Sequence, residues 1–289
     1  MQPAQPTSYW ATDVTPKKEA VELTFLGTRG GIKIRSRRHR RHSALLIEHK
    51  DARIMIDCGT DWLGRLDGIA ATAIILTHAH SDHAGGLAQG APCPVYATRE
   101  TLRLVRRFPI RDRRGMPLKK TLAIGGLRFT AYPVQHSMRA PAVGYRISAN
   151  AEAFFYLPDV ARLPNAAEAL CGVCVYIGDG ATMRRSMVRV KDGKLIGHAP
   201  ITAQLDWCAK ANVRRAIFTH CGSPIVRGDA RALSATVRKL GRERGIYARL
   251  ACDGDRLPFS VIDRRNGPSG SLSRDRVKQR NELPDGHPA

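Results

Sequence analysis

Short apolar runs, some alternating and some continuous, are separated by glycine-rich and polar breaks through the middle of the chain, and they predict strands first and helices later. Residues 21–26 (VELTFL) alternate and predict a strand, with a tight glycine-rich turn over 27–31 (GTRGG). Residues 44–47 and 53–57 (RIMID) predict the next two strands, and residues 73–77 (AIILT) a short buried run that stops at a histidine. A helix is expected over 99–108, and strands over 127–133, 142–147, 153–157 and 173–177. Residues 201–211 fit an amphipathic helix, with Ile201, Leu205 and Cys208 at i, i+4 and i+7. A strand over 216–219 runs into His220, and residues 231–244 fit a basic helix. Apolar strands that run straight into polar loops imply sheets covered by helices, with a site at the strand ends.

Outside this region the chain loses its apolar period. Residues 1–20 read as a loose N-terminal arm and residues 264–289 as a disordered basic tail, leaving 21–263 as one folded domain. With 289 residues, 43% of them hydrophobic, the chain can bury a substantial core. The N-terminus has no apolar signal region, and no run approaches the roughly 18 apolar residues of a membrane span, so a cytoplasmic protein without membrane contact is expected. The seven cysteines are odd in number and irregularly spaced, which suits free thiols in a reducing compartment. Cys171 and Cys174 form a lone CxxC that leads into an apolar strand and reads as packing. The net charge of +22 would attract a phosphate-rich partner, although a chain rich in Ala and Arg together acquires such a charge from composition alone.

Candidate chemistry concentrates in residues 77–86, THAHSDHAGG. In an extended stretch the i and i+2 side chains share a side, so His78 and His80 can reach one metal ion. Ser81 is a good helix N-cap, which would put Asp82 and His83 in a first helical turn, pointing back to hold a second ion. Three later residues have ligand chemistry but weak signals when taken singly. His136 (YPVQHS) also fits a surface histidine, Asp159 (FFYLPDV) a turn or cap residue, and His220 (IFTHCG) a satisfied core histidine.

HAHSDH matches the HxHxDH signature, and the chain resembles the metallo-β-lactamase superfamily over roughly residues 21–255. The other motifs follow in the family's order: IMIDCG with Asp57, then His136, Asp159 and His220. The resemblance implies an α/β protein, a four-layer αββα sandwich with a dinuclear metal site at one edge of the sheets. It implies His78, His80 and His136 on one ion, Asp82, His83 and His220 on the other, Asp159 bridging both, and Asp57 orienting the ligand loop from beneath. Imidazole and carboxylate donors without thiolates suit two zinc ions, with manganese or iron permitted. Two ions that share a water lower its pKa toward about 7 and would supply the hydroxide of a hydrolase, with Asp82 counted in the catalytic centre as well as among the ligands.

The ligands alone do not choose a substrate. Three features resemble the phosphodiesterase and tRNase Z branch. His198, in IGHAPIT at a helix entrance, is implied as general acid or transition-state stabiliser, with a plain capping histidine as the other reading. Asp179, in YIGDGATM, is implied to orient His198. The opening FLGTRGG precedes a basic loop over 33–42, in which Arg35, Arg37 and Arg38 are candidate phosphate contacts, though a solvated charge run fits equally. A second basic stretch from Arg103 to Lys120 could extend a polyanion path. The short spacing between His136 and Asp159 excludes the long tRNA-clamping arm of tRNase Z and resembles the compact phosphodiesterase associated with carbon–phosphorus lyase operons, without that relative's cysteine-bound extra zinc. The expectation is a metal-dependent phosphodiesterase acting on a cyclic nucleotide, a small diester or a nucleic acid, in a branch where homodimers are common. The alternatives are a glyoxalase-like thioesterase or lactonase with the same metal site, and a weakly catalytic metal-binding accessory protein.

Overall fold

The computed structural model describes residues 21–149 and 152–259. The expected arm over 1–20 and tail over 264–289 lie outside the described residues, as do 260–263 at the expected domain end. Two seven-stranded sheets organise the rest. One runs, edge to edge, Arg256–Phe259, Val21–Gly27, Ala44–His49, Ala52–Ile56, Ala73–Ile75, Val95–Ala97 and Arg113–Gly115. The other runs Tyr247–Leu250, Arg215–Thr219, Val175–Asp179, Glu152–Tyr156, Ala142–Ala149, Leu127–Val134 and Thr121–Ile124. A two-stranded hairpin, Arg189–Lys191 with Lys194–Ile196, belongs to neither.

Side chains alternate across a strand, and here that alternation sorts them into three apolar layers. Leu45, Ile47, Ile54 and Ile56 of the first sheet meet Phe129, Tyr145, Phe154, Tyr156 and Ile177 of the second. Leu46, Met55 and Ile74 point the other way, onto Trp62 and Leu87 in the short helices that cover the first sheet and onto Val105 just past the end of another. Phe155, Tyr176 and Phe218 point outward onto Ile201, Leu205, Val237 and Leu240 of the helices Ile201–Lys210 and Ala230–Arg242. Three apolar layers between two sheets and two helical coverings make the αββα sandwich. Burying each large apolar side chain contributes roughly 1.5–3 kcal/mol, so the layer between the sheets is a major stabiliser.

Strand direction decides where the site falls. Ala52–Ile56 and Ala73–Ile75 pair in parallel, and so do Glu152–Tyr156, Val175–Asp179 and Arg215–Thr219. Leu127–Val134 is antiparallel to Ala142–Ala149, which is antiparallel to Glu152–Tyr156, so it too runs in their direction. The C-terminal ends of these strands therefore share an edge of their sheet, and the loops that leave those ends carry the candidate ligands. Tyr145 ties the two edges together by donating its hydroxyl to the Leu76 carbonyl at 2.7 Å.

Some local expectations change. Ser81 is the first residue of the helix Ser81–Ala84, not its N-cap; His80 holds the cap position, and its carbonyl accepts from the N–H groups of His83 and Ala84. Asp82 and His83 still lie in the first turn. The helix expected over 99–108 ends at Leu104; the chain goes on in turns to Pro109, which has no N–H to donate, and the Arg113 guanidinium also takes the carbonyls of Val105, Arg106 and Phe108. Cys174 packs against the inter-sheet layer, whereas Cys171 is exposed and does not pack. Among the described residues no helix is long and apolar enough to cross a membrane.

Candidate active site

Asp57 follows its strand with φ 62°, a left-handed backbone that costs a non-glycine residue roughly 1–2 kcal/mol. Hydrogen bonds offset that strain. Its buried carboxylate accepts from the Thr77 N–H, the Thr77 hydroxyl and His83 Nδ1–H, each at 2.8 Å. The Thr77 oxygen in turn accepts from His78 Nδ1–H at 3.0 Å. His136 donates its Nδ1–H to the Gly197 carbonyl at 3.1 Å. Each of these bonds occupies one ring nitrogen and leaves Nε2 of His78, His83 and His136 as a lone-pair donor aimed into the cavity. His80 is turned the other way, with Nε2 beside Ser137 Oγ at 3.2 Å and Nδ1 facing the group.

The freed atoms fall into two groups. In the first, His78 Nε2 lies 2.9 Å from His80 Nδ1 and 3.3 Å from Asp159 Oδ2, and His136 Nε2 lies 3.7 Å from the same oxygen. In the second, His83 Nε2 lies 2.8 Å from Asp159 Oδ2, and His220 Nε2 lies 3.2 Å from Asp82 Oδ2. Within each group all four ligand atoms stay within 4.8 Å of one another, and Asp159 belongs to both. His83 Nε2 and Asp159 Oδ1 are buried without a hydrogen-bond partner, which costs roughly 1–3 kcal/mol each unless something else satisfies them. Imidazole and carboxylate atoms that converge in this way, some of them buried without a partner, fit divalent metal ions.

The electrostatics agree with that fit. Burial pushes the His78 imidazole well below its ordinary range. Burial opposes charge on His83 as well, but Asp82, Asp57 and Asp159 outweigh it and hold His83 well above its ordinary value. Burial works against the Asp159 carboxylate, yet His220, His136 and His83 keep it ionised far below the usual carboxylate range. The carboxylates thus demand positive charge, which divalent ions would supply while leaving the imidazoles neutral.

Glycines make the close approaches. A Cβ on Gly59 would lie 2.0 Å from the Asp82 backbone oxygen, and one on Gly31 would lie 2.7 Å from Asp82 Oδ2. Gly59→Ala would therefore push the helix that carries Asp82 and His83 off its seat. The expected cost is roughly 1–3 kcal/mol, read by calorimetry as a Tm lower by about 2–12 °C, together with reduced metal content. An unchanged Tm would mean that this loop yields without strain.

His220 follows its strand with φ 52° and is anchored by its N–H, which donates to Ser43 Oγ at 2.9 Å. Beside it, His198 Nδ1–H donates to Asp179 Oδ2 at 2.8 Å and lies 3.3 Å from Asp159 Oδ1. Burial opposes charge on His198, but Asp179 and Asp159 push its pKa up to about 11. Asp179 also accepts from the N–H groups of Val160 and Ala181, and its own N–H and carbonyl are both held by the buried Gln204 amide. Gln204 shares the inward face of its helix with Ile201, Leu205 and Cys208, and a polar residue at such a position is the signal that could have marked it.

His80, Asp82, His136, Asp159, His198 and His220 line an open cleft of about 940 Å³, with Ile32, Met183 and Pro224 as apolar wall. Its cations are Arg184, Arg185 and Arg189, in the segment RRSMVR that follows the Asp179 loop. Arg35, Arg37 and Arg38 lie elsewhere. Arg35 pairs with Asp61 at 2.7 Å, and Arg37 and Arg38 line a separate cavity with Arg238 and Arg249. The loop is held back by the buried Arg29, which pairs with Asp61, while Asp61 also accepts from the His42 N–H at 2.9 Å. The stretch from Arg103 to Lys120 does not line the cleft either: Arg114 is engaged by Asp112 and Tyr96, and Lys119 by Glu168.

Residues 52–221 match the model of the beta-lactamase superfamily domain, a span that includes all seven converging histidines and aspartates. The chain belongs to the beta-lactamase superfamily. Ribonuclease Z of Methanopyrus kandleri is 30% identical over 142 residues, which cover 43% of this chain and 49% of the relative, so the match spans about half of that protein's length. The metallo-beta-lactamase fold protein YhfI of Bacillus subtilis superposes with a TM-score of 0.65 at 16% identity, over 83% of this chain and 100% of that one. A diphosphatase from the PhnP family superposes with a TM-score of 0.61 at 21% identity, over 83% and 97%. These two structures share the superfamily's fold with this chain.

Proposed function

We propose that the chain is a dinuclear-metal phosphodiesterase. The observation that carries this reading is the His198–Asp179 pair standing against Asp159, at the point where the two donor groups join. The similarity to a ribonuclease Z and to a PhnP-family diphosphatase supports it, since both names describe hydrolysis at phosphorus. His78, His80 and His136 would hold one zinc ion, Asp82, His83 and His220 the other, and Asp159 both. Such ions supply Lewis acidity and an activated water at neutral pH.

The chain's own residues do the rest. Asp179 accepts from His198 Nδ1–H and so fixes the ring, leaving Nε2 to face the cleft. From there His198 donates a proton to the departing oxygen, or a hydrogen bond to a phosphoryl oxygen as charge develops on it. Asp57, through Thr77 and His83, holds the ligand loop in register for that event. Arg184 and Arg185 on the cleft wall offset the charge of the diester, and Ile32, Met183 and Pro224 give an apolar leaving group a surface to rest on.

Metal-reconstituted protein is expected to hydrolyse bis(p-nitrophenyl) phosphate, and a chelator to abolish the turnover until zinc is restored. A panel of thioesters and lactones run beside the diester decides between readings. Efficient thioester or lactone hydrolysis with no diesterase turnover would overturn this one in favour of a glyoxalase-like enzyme or lactonase. No turnover of any substrate would favour a metal-binding accessory protein.

A further inference from the structure

The cleft at the candidate metal site has a second lobe. It encloses about 650 Å³ and shares His80, His136, Met187, Arg189 and His198 with the first. The first lobe extends from these residues toward Gly31, Ile32 and Pro224, and the second toward Met138, Arg139 and Lys191. The histidines thus stand where the two lobes meet.

One wall of the second lobe is the hairpin Arg189–Lys191 with Lys194–Ile196. Asp192 and Gly193 join its strands, with φ 48° and 71°, the left-handed pair that a tight two-residue hairpin requires. Its base is locked to the site. The Gly197 N–H donates to the His136 carbonyl at 2.9 Å, the Met187 N–H to the His198 carbonyl at 3.1 Å, and the Ala199 N–H to the Val160 carbonyl at 2.6 Å. The hairpin is therefore placed by the same residues that carry the candidate ligands and His198.

The chemistry of the lobe is cationic and apolar together. Arg139 and Lys191 are exposed on it, and among the described residues neither has an acidic partner, Asp192 at the turn included. Met138 and Met187 expose 39% and 46% of their surface there, a polarisable apolar area on which a flat ligand group can rest. A small diester fills one lobe, since pockets of about 300–1,000 Å³ already take a drug-sized molecule. A single scissile phosphate at the histidines does not extend to Arg139 and Lys191, whereas the neighbouring phosphates of a longer chain would meet them.

We propose that the second lobe is a subsite for the stretch of a single-stranded oligonucleotide that flanks the scissile bond. Arg139 and Lys191 contact its backbone phosphates, and Met138 and Met187 seat a base without reading its identity. The inference rests on the phosphodiester reading above and narrows its substrate from small diesters to oligonucleotides.

The test is fluorescence anisotropy of fluorescein-labelled hexathymidylate titrated with the full chain over a salt series, beside the turnover of bis(p-nitrophenyl) phosphate. In the double variant Arg139→Ala/Lys191→Ala the oligonucleotide is expected to bind roughly tenfold more weakly at low salt. The slope of log Kd against log salt should fall by about 1.4, or about 0.7 for each lost phosphate contact on a single strand. Turnover of the small diester should not change. The control Arg106→Ala/Arg107→Ala removes equal charge from exposed residues that do not line either lobe, and it should leave the slope as it was. An unchanged slope in the first variant overturns the subsite, as does an equal loss in the control. A fall in small-diester turnover also overturns it, by placing these residues at the reaction itself. Weaker binding in a protein that hydrolyses no diester at all supports the subsite and overturns the phosphodiesterase reading alone.

Discussion

An Asp159→Asn protein is expected to carry at most one metal ion per chain and to lose roughly a thousandfold in diesterase turnover, or about 4 kcal/mol of transition-state stabilisation. Asp159 alone belongs to both donor groups, with Oδ2 at 2.8 Å from His83 Nε2 and 3.3 Å from His78 Nε2. The amide keeps the shape but removes the charge, and it offers a hydrogen-bond donor where only acceptors fit. The six remaining donors cannot compensate, because they are five neutral imidazoles and a single carboxylate for two dications. Elemental analysis of the purified variant reads the metal loss separately from activity. Two ions per chain with near-normal turnover would remove Asp159 from the bridging role and end the dinuclear assignment.

His198→Ala is expected to lower kcat about 100- to 1,000-fold while metal content and KM stay close to their original values. The geometry argues for that division. His198 Nδ1 is held by Asp179, so its free nitrogen serves the cleft, and His198 is in neither of the two four-residue groups assigned to the ions. It does form a third cluster with Asp159, Asp179 and His220, but there its contact with Asp179 is a hydrogen bond, which leaves that nitrogen no lone pair for a metal. Asp179→Asn should give a smaller loss of the same kind, since the amide still touches the ring but no longer stabilises its charged form. A His198→Ala protein with full diesterase activity would reduce His198 to a capping residue. A protein that loses its metals instead would make it a ligand.

The ligand loop was legible because its information is local. His78 and His80 at i and i+2, followed by Asp82 and His83 in one helical turn, need only strand and helix geometry to converge. Only the role of Ser81 differed, since His80 takes the cap position. His136, Asp159 and His220 carried weak signals individually, and the structure brings them to the same cavity because their strands run in one direction. The hairpin beside the cleft is not among the expected elements, although Asp192–Gly193 between short flanking runs is a strong turn signal. The short strands Val95–Ala97, Arg113–Gly115 and Thr121–Ile124, at or next to the sheet edges, have too few residues to show a period, and they exist because a neighbouring strand offers its open edge.

The arginines mark the limit of reading by composition. The loop with Arg35, Arg37 and Arg38 looked suited to phosphate, but the buried Arg29–Asp61 pair draws it away from the cleft. Nothing in the string GTRGG says that its arginine is buried, because burial depends on an aspartate 32 positions later. Arg184, Arg185 and Arg189 look no different in sequence, yet they line the cleft because the Asp179 loop and the His198 anchor place them there. The sequence by itself determined which donors exist, their order, and the strand ends that hold them, since metal-ligand chemistry and strand periodicity are short-range properties. Only the tertiary structure decided which of the described cationic side chains face the site, because a charge says what it attracts and not where the chain will carry it.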